Sequence, residues 1–306
     1  MLTAVLAAVQ LLAPAPVVPR EPVAFVREAL AAHRVVFLGD IHPLAEPKRI
    51  LLDVLQQRDA AHPVDVLALE VGSELQPIID TYLAGEPENP GLLRQHDRTL
   101  RAHWGASAEY LAIYRAVYRL NREPGAAPIR IVAADARGWP IAPLSSMMAA
   151  GGAVQREANM ARSFSRLVRT LPASARVLVF MGGYHGLKAS GADIEVGTAR
   201  AELEHWFAGQ LAADGIPVYT ILSDARQDDA TTATRLFAPL ARLQPDGNFV
   251  ILLDAETDDV REPLADIRED GYALRFRPAR FPIRSAADAM LVLNRTTPIT
   301  RLAATP

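Results

Sequence analysis

The sequence predicts an α/β protein with a largely parallel central sheet, helices on both faces, and a site at the carboxyl edge of the strands. Three observations lead there. Short apolar, β-branched runs such as VVFL (Val35–Leu38) recur along the chain and read as strands buried on both faces. Segments with helical periodicity alternate with them, implying helical crossovers of right-handed βαβ type. Several runs also stop at ionisable residues, and in open α/β sheets ligands bind outside the carboxyl ends of the strands.

Taken in order, Pro22 to Ala32 reads as a helix with Phe25, Val26, Ala29 and Leu30 on one face. VVFLGDIH (Val35–His42) is the first strand; it stops at Gly39 and presents Asp40 and His42. Pro43 and Pro47 punctuate its exit, and Ile50, Leu51, Val54 and Leu55 mark a helix crossing back over the sheet. VDVLALE (Val64–Glu70) is the second strand, and Gly72 and Ser73 open a helix ending near Gly85 and Pro87. Residues 86–104 are polar and read as an excursion over the site. Ser107 to Asn121 is a helix with tyrosines at 110, 114 and 118, a spacing that predicts core packing. IRIVAAD (Ile129–Asp135) is the third strand, Gly138 to Gly152 a loop, and the helix from about Gln155 to Thr170 begins with Arg156 and Glu157. RVLVFMG (Arg176–Gly182) runs into Gly183, Tyr184 and His185. A helix over Ala199–Ala213 comes next, then strand PVYTILSD (Pro217–Asp224), a short helix near 232–241 and strand NFVILLD (Asn248–Asp254). The tail offers strand candidates at Tyr272–Phe276 and Met290–Leu293.

The chain has 306 residues, half of them hydrophobic and 22% charged, with a formal net charge of −3. One α/β domain over 21–306 accommodates these elements, with 225–306 as its unassigned C-terminal part. No basic block interleaved with aromatics is present, so nucleic-acid binding has no support. Cysteine is absent, which removes disulfides and thiolate zinc sites. Residues 1–20 begin with an apolar run too short for a membrane span and about right for a signal-peptide core, although no Lys or Arg precedes it. The expectation is a periplasmic or secreted protein, with a cytoplasmic one as the alternative, and no transmembrane span. The sequence carries no signal of oligomeric state.

On this reading the strand ends gather Asp40, His42, Glu70, Asp135, His185, Asp224 and Asp254 along one edge. Residues two apart in extended chain point the same way, so Asp40 can orient the His42 imidazole and make it more basic. That pairing suits a general base or a metal ligand, and His42, Glu70 and His185 form a plausible divalent-metal set. Arg156 adds a cation suited to a carboxylate or oxyanion, or else opens a solvated helix together with Glu157. Asp135, Asp224 and Asp254 read as caps of the helices after them. His33, His62, His96, His103 and His205 read as structural.

Four motifs in order resemble a known superfamily: GDIH, a carboxylate closing the next strand (LALE), an Arg-x-x-x-Met-Ala helix (Arg156 to Ala161), and a strand into GGYH. They are similar to the superfamily that joins erythromycin esterases, ChaN-type haem-binding uptake proteins and Tiki/TraB-like metalloproteases. HWGASAEYLAIYRAV and IRIVAADAR also look like the middle of its ChaN-type and esterase-type members, and the likeness spans roughly 33–222. The resemblance implies an α/β fold and function at His42, Glu70, Arg156 and His185, with Asp40 where Glu is commoner.

The esterase-like branch implies a hydrolase in which His42 activates water to cleave an ester or amide-type bond of a small-molecule or peptide substrate. The Tiki-like branch implies Mn, Co or Zn on the same residues. The ChaN-like branch implies haem as ligand, with Tyr184 or His185 as axial candidates and no catalysis. The lipid attachment common in that branch is not expected without cysteine.

Overall fold

The computed structural model describes residues 18–95, 107–137, 152–188, 192–196, 199–203, 205–225, 243–253, 267–269, 272–276 and 283–302. Its centre is a seven-stranded sheet. In chain order its strands are β1 (Val35–Asp40), β2 (Val66–Gly72), β3 (Arg130–Asp135), β4 (Val177–Gly182), β7 (Tyr219–Ala225), β8 (Phe249–Leu252) and β11 (Ala289–Leu293). They lie in the order β3-β2-β4-β1-β7-β11-β8. All pairings are parallel except β8 with β11. A second, antiparallel sheet is formed by β5 (Ala192–Val196), β6 (Ala199–Leu203), β9 (Ile267–Glu269) and β10 (Tyr272–Phe276), in the order β6-β5-β10-β9.

Two-residue alternation along the strands divides the core between the faces. Val36, Leu38, Leu67, Leu69, Leu178 and Phe180 pack against α1 (Pro22–Ala32), α2 (Glu46–Gln56), α3 (Gln76–Ala84) and α5 (Ala108–Leu120). A short α4 (Pro90–Gln95) precedes α5. The intervening residues Val35, Phe37, Val66, Ala68, Val177 and Val179 pack against α6 (Gly152–Thr170) and α7 (Phe207–Ala213). Every residue of β1 and β4 is buried. Each large aliphatic side chain among them contributes roughly 1.5–3 kcal/mol on leaving water. A last short helix, α8 (Ile283–Ala286), leads into β11.

Local chemistry sets the helix starts. The Glu21 carboxylate accepts from Val23 and Ala24 N–H ahead of α1, whose first residue is Pro22. Ser107 Oγ caps Tyr110 N–H at the start of α5. Ser73–Leu75 forms a 3₁₀ turn before α3, where the sequence predicted one continuous helix.

The predicted helix over 199–213 is a correction. Ala199–Leu203 forms β6, which pairs in register with β5 from Ala192↔Leu203 to Val196↔Ala199, and only Phe207–Ala213 is helical. The Ala/Glu/Leu composition there favours helix, but the available strand partner overrides a propensity worth only tenths of a kcal/mol per residue. The segment after 225 supplies β8 and β11 to the main sheet and β9 and β10 to the second. Arg20 bridges Val250 of β8 through paired backbone hydrogen bonds. The helix expected near 232–241, the loop at 138–151, Asp254, His96 and His103 lie outside the described residues. No described helix is long and apolar enough to cross a membrane.

Candidate active site at the carboxyl edge of the sheet

Two clusters of charge form at the carboxyl ends of β1, β2, β3 and β4, one on each face of the sheet. The first belongs to β1. Its end lies close to neighbouring backbone, since a Cβ at Gly39 would sit 3.1 Å from Ser223 N and 3.2 Å from Gly183 Cα. Asp40, continuing the face of Val36 and Leu38, turns its fully buried side chain toward α2 and α5. Lys48 Nζ of α2, also without exposed surface, meets Asp40 Oδ1 at 2.5 Å. Tyr110 OH of α5 donates to Asp40 Oδ2 at 3.0 Å, and His42 Nδ1 lies 2.9 Å from the same oxygen.

The second cluster belongs to β2, β3, β4 and α6. Glu70, on the opposite parity to Leu69, accepts from Arg156 Nη2 at 2.6 Å through Oε1. Arg156 also grips Asp135 at the end of β3, with Nε to Oδ1 at 2.9 Å and Nη2 to Oδ2 at 2.7 Å. The His185 imidazole, in the turn after β4, places Nε2 3.2 Å from Glu70 Oε1. Glu157 Oε1 sits 2.8 Å from His185 Nδ1, close enough for an ion pair though not aligned as a hydrogen bond. The other Glu157 oxygen accepts the Phe207 N–H at the start of α7, at 2.9 Å.

The clusters meet over Gly182. β4 lies between β1 and β2, so His42 and Glu70 must reach each other across the end of β4, and His42 Nε2 comes 3.4 Å from Glu70 Oε2. Gly182 N–H donates to that oxygen at 2.6 Å. A Cβ at 182 would stand 3.0 Å from His42 Nε2 and 3.2 Å from Glu70 Oε2, inside the gap the two side chains occupy. Any larger residue would have to push His42 or Glu70 aside by a few tenths of an ångström.

The electrostatics follow from these contacts. Burial would raise the Asp40 carboxyl, but Lys48 and His42 outweigh it and hold Asp40 below the usual range. Burial disfavours charge on His42, yet Glu70 and Asp40 outweigh it, with Lys48 opposing, and the imidazole lies above its ordinary value. His185 is pushed up to about 10: burial works against the proton, and Glu157 and Glu70 overcome it. Glu70, buried among His185, His42 and Arg156, is held well below the carboxylate range despite desolvation. Asp135 is raised, because burial exceeds the help it gets from Arg156.

The structure thus brings His42, Glu70, Arg156, His185 and Asp40 together. Tyr184 stands beside them with its ring 5.9 Å from Trp206, and His185 meets the same indole edge-on at 6.1 Å. Asp224 is buried at the end of β7. Asp135 is more than the cap expected of it: Oδ1 does accept Ala136 N–H at 2.6 Å, but both oxygens also bind Arg156. Arg156 and Glu157 are buried in the cluster and do not open a solvated helix. Lys48 and the Tyr110 hydroxyl were not anticipated as site groups.

Among the described residues no group of three or more His, Asp or Glu side chains is arranged to hold a metal ion. The donor set explains this. Arg156 Nη1 lies 3.3 Å from His185 Nε2 while Nη2 holds Glu70 Oε1, so a dication between those donors would face a guanidinium.

No family model and no curated protein sequence matches the chain. Its fold does match solved structures. An erythromycin esterase mutant in its open conformation superposes with a TM-score of 0.58 at 12% identity, over 90% of this chain and 93% of that one. A Bacillus cereus protein gives 0.57 at 11%, over 92% and 93%. A succinoglycan biosynthesis protein gives 0.58 at 13%, over 90% and 91%. Across nearly its whole length the chain therefore shares its fold with these three solved structures.

Proposed function

We infer that the chain is a hydrolase that opens an ester by adding water to its carbonyl, with His42 as the base. One observation carries this reading: within the described network, His42 alone reaches solvent appreciably. Its side chain is 26% exposed, against 11% for Arg156, 7% for Glu70 and His185, and none for Asp40 and Lys48.

In this mechanism a water beside Nε2 gives its proton to the imidazole as its oxygen bonds the carbonyl carbon. The tetrahedral intermediate then expels the alcohol oxygen, which takes that proton back, leaving an acid and an alcohol. Asp40 behind Nδ1 and Glu70 beside Nε2 stabilise the imidazolium that forms between the two proton transfers. Arg156 and His185, committed to Glu70, Asp135 and Glu157, keep the second carboxylate in place. An ester is favoured over an amide because its carbonyl is the more electrophilic and an alkoxide is a better leaving group than an amide anion.

The test is hydrolysis of p-nitrophenyl acetate by the wild type and by His42→Ala, with thermal unfolding measured on both. The variant should lose roughly 10²–10⁴-fold in kcat, the usual worth of a general base, with its unfolding unchanged. A stably folded variant with undiminished turnover removes His42 from the reaction. Chelator-sensitive turnover restored by Mn, Co or Zn would replace this path with the metal-assisted one on His42, Glu70 and His185. A Soret shift on titrating haemin, with no turnover, would favour haem binding through Tyr184 or His185.

A further inference from the structure

We propose that Lys48 is a positioning residue for His42, which clamps the loop after β1 and fixes which imidazole nitrogen carries the proton. This deepens the reading of His42 as base and rests on it only for its consequence in turnover. An ammonium has three protons and no acceptor capacity. All three Lys48 protons have acceptors within one short stretch: Asp40 Oδ1 at 2.5 Å, Ile41 O at 3.0 Å and His42 O at 2.8 Å. The side chain has no exposed surface, and its Nζ lies 5.5 Å from the Tyr110 ring centroid. A lysine buried this completely, when arginine and methionine are both available to a core, is costly unless the charge itself is used.

Its use follows from the neighbours. Asp40 is buried with two oxygens to satisfy. Lys48 takes Oδ1, which leaves Oδ2 for Tyr110 OH and His42 Nδ1. An ionised carboxylate only accepts, so Nδ1 must be the protonated nitrogen, and Nε2 keeps the lone pair that a base needs. With the ammonium gone, the buried Asp40 carboxyl would take up a proton and donate it to Nδ1. The ring proton would then sit on Nε2, the nitrogen free histidine prefers, and the base would be lost. Glu70 faces His42 from β2, while Glu46 and Glu109 lie near Lys48 from α2 and α5. None of these takes an Nζ proton in place of Asp40 and the two carbonyls.

The experiment is Lys48→Met, a neutral chain of similar length, with the His42 ring nitrogens read by ¹⁵N NMR on substrate-free protein at a pH where the ring is neutral. The wild type should show the Nδ1–H form and the variant the Nε2–H form. In p-nitrophenyl acetate hydrolysis the variant's kcat should fall at least tenfold with KM unchanged. If Lys48 only fills the core, the variant keeps the Nδ1–H form, and that result overturns the proposal whatever the turnover. Should Lys48→Met fail to fold, Lys48→Gln, which retains two N–H donors without the charge, is read in the same way. A tautomer that switches while turnover is undiminished supports the role of Lys48 and removes His42 from the reaction instead.

Discussion

His185 makes the folded state's stability depend on pH in a direction opposite to that of most buried carboxylates. Its imidazole is raised to about 10 by Glu157 and Glu70, against an ordinary value of 6.5. The folded state therefore holds a proton that the unfolded chain releases near 6.5. The stabilisation is complete below 6.5 and is lost as pH rises toward 10. The interval from 6.5 to about 10, at roughly 1.36 kcal/mol for each pH unit, amounts to roughly 5 kcal/mol, a large share of the total for a typical domain. Between pH 7 and 9 the loss is roughly 2–3 kcal/mol, before the ordinary tyrosines and lysines titrate. Urea unfolding at intervals across that range measures it, with His185→Asn as the comparison. The variant starts lower, because Glu157 and Glu70 lose a cation, but its stability should be nearly flat where the wild type falls. His42, also raised, adds a smaller fall of the same sign to both proteins. Parallel slopes in the two would show that His185 is neutral in the folded state and that its ion pair with Glu157 does not form.

Other consequences are equally direct. Gly182→Ala pushes a methyl between His42 Nε2 and Glu70 Oε2. It should cost about 1–3 kcal/mol in urea unfolding and at least tenfold in ester turnover, an overpacking effect a remote Gly→Ala change would not give. Asp135→Ala leaves Arg156 buried with one carboxylate fewer and should destabilise by about 3–5 kcal/mol in the same assay. The rate of hydrolysis should rise with pH through a limb above 6.5, since His42 must be neutral to act and its pKa is raised. Asp40→Asn removes one of the charges that raise it and should move that limb down, which a pH–rate profile of the variant reads. In acid, Glu70 works the other way: its stabilisation is present above its ordinary 4.5 and disappears as pH falls through its lowered folded value.

Much of this was legible in the sequence because strand ends carry a simple signal. A buried parallel strand is a continuous apolar run, so β1, β2, β3 and β4 each announce where the backbone reaches the edge, and the next few residues of each share a common cleft. Asp40, His42, Glu70 and His185 were readable on that ground, whereas Arg156 read equally well as part of a solvated helix start and was singled out only by the Arg-x-x-x-Met-Ala motif. Lys48 was missed although a cue existed. With Leu51 and Leu55 it lies at i, i+3, i+7 on the buried stripe of α2, where a lysine is anomalous. Tyr110 was hidden by its own regularity: the tyrosine spacing correctly gave a packed stripe but said nothing about where one hydroxyl would find an acceptor. Asp135 was underestimated because a carboxylate after a strand commonly caps the next turn, and only the arrival of α6, about 20 residues on, makes it an anchor for Arg156. Ala199–Leu203 went wrong although its partner is close at hand: β5 (Ala192–Val196) ends three residues before it, but the Ala/Glu/Leu composition reads as helix when taken alone.

The distribution of burial explains why the site needs both faces of the sheet. Asp40 with Lys48 and Tyr110 lies under one layer of helices, and Glu70 with Arg156, Asp135, His185 and Glu157 under the other. Each cluster pairs its ions inside protein, where an unpaired one would cost several kcal/mol, and so each can be rigid and dry. Neither is by itself a reactive group, because almost every polar atom in it is already engaged. Reactivity arises where the two leave off. His42 is tied to the first cluster through Nδ1 and approaches the second through Nε2, and it does so over Gly182 at the end of β4, where no side chain keeps them apart. A carboxylate on either side of an imidazole makes its protonated form easy to reach, and the partial exposure of that ring lets a substrate meet it. The competence of the site thus depends on the register of three adjacent strands, β1, β4 and β2, together with the Lys48 contacts that hold the loop carrying His42.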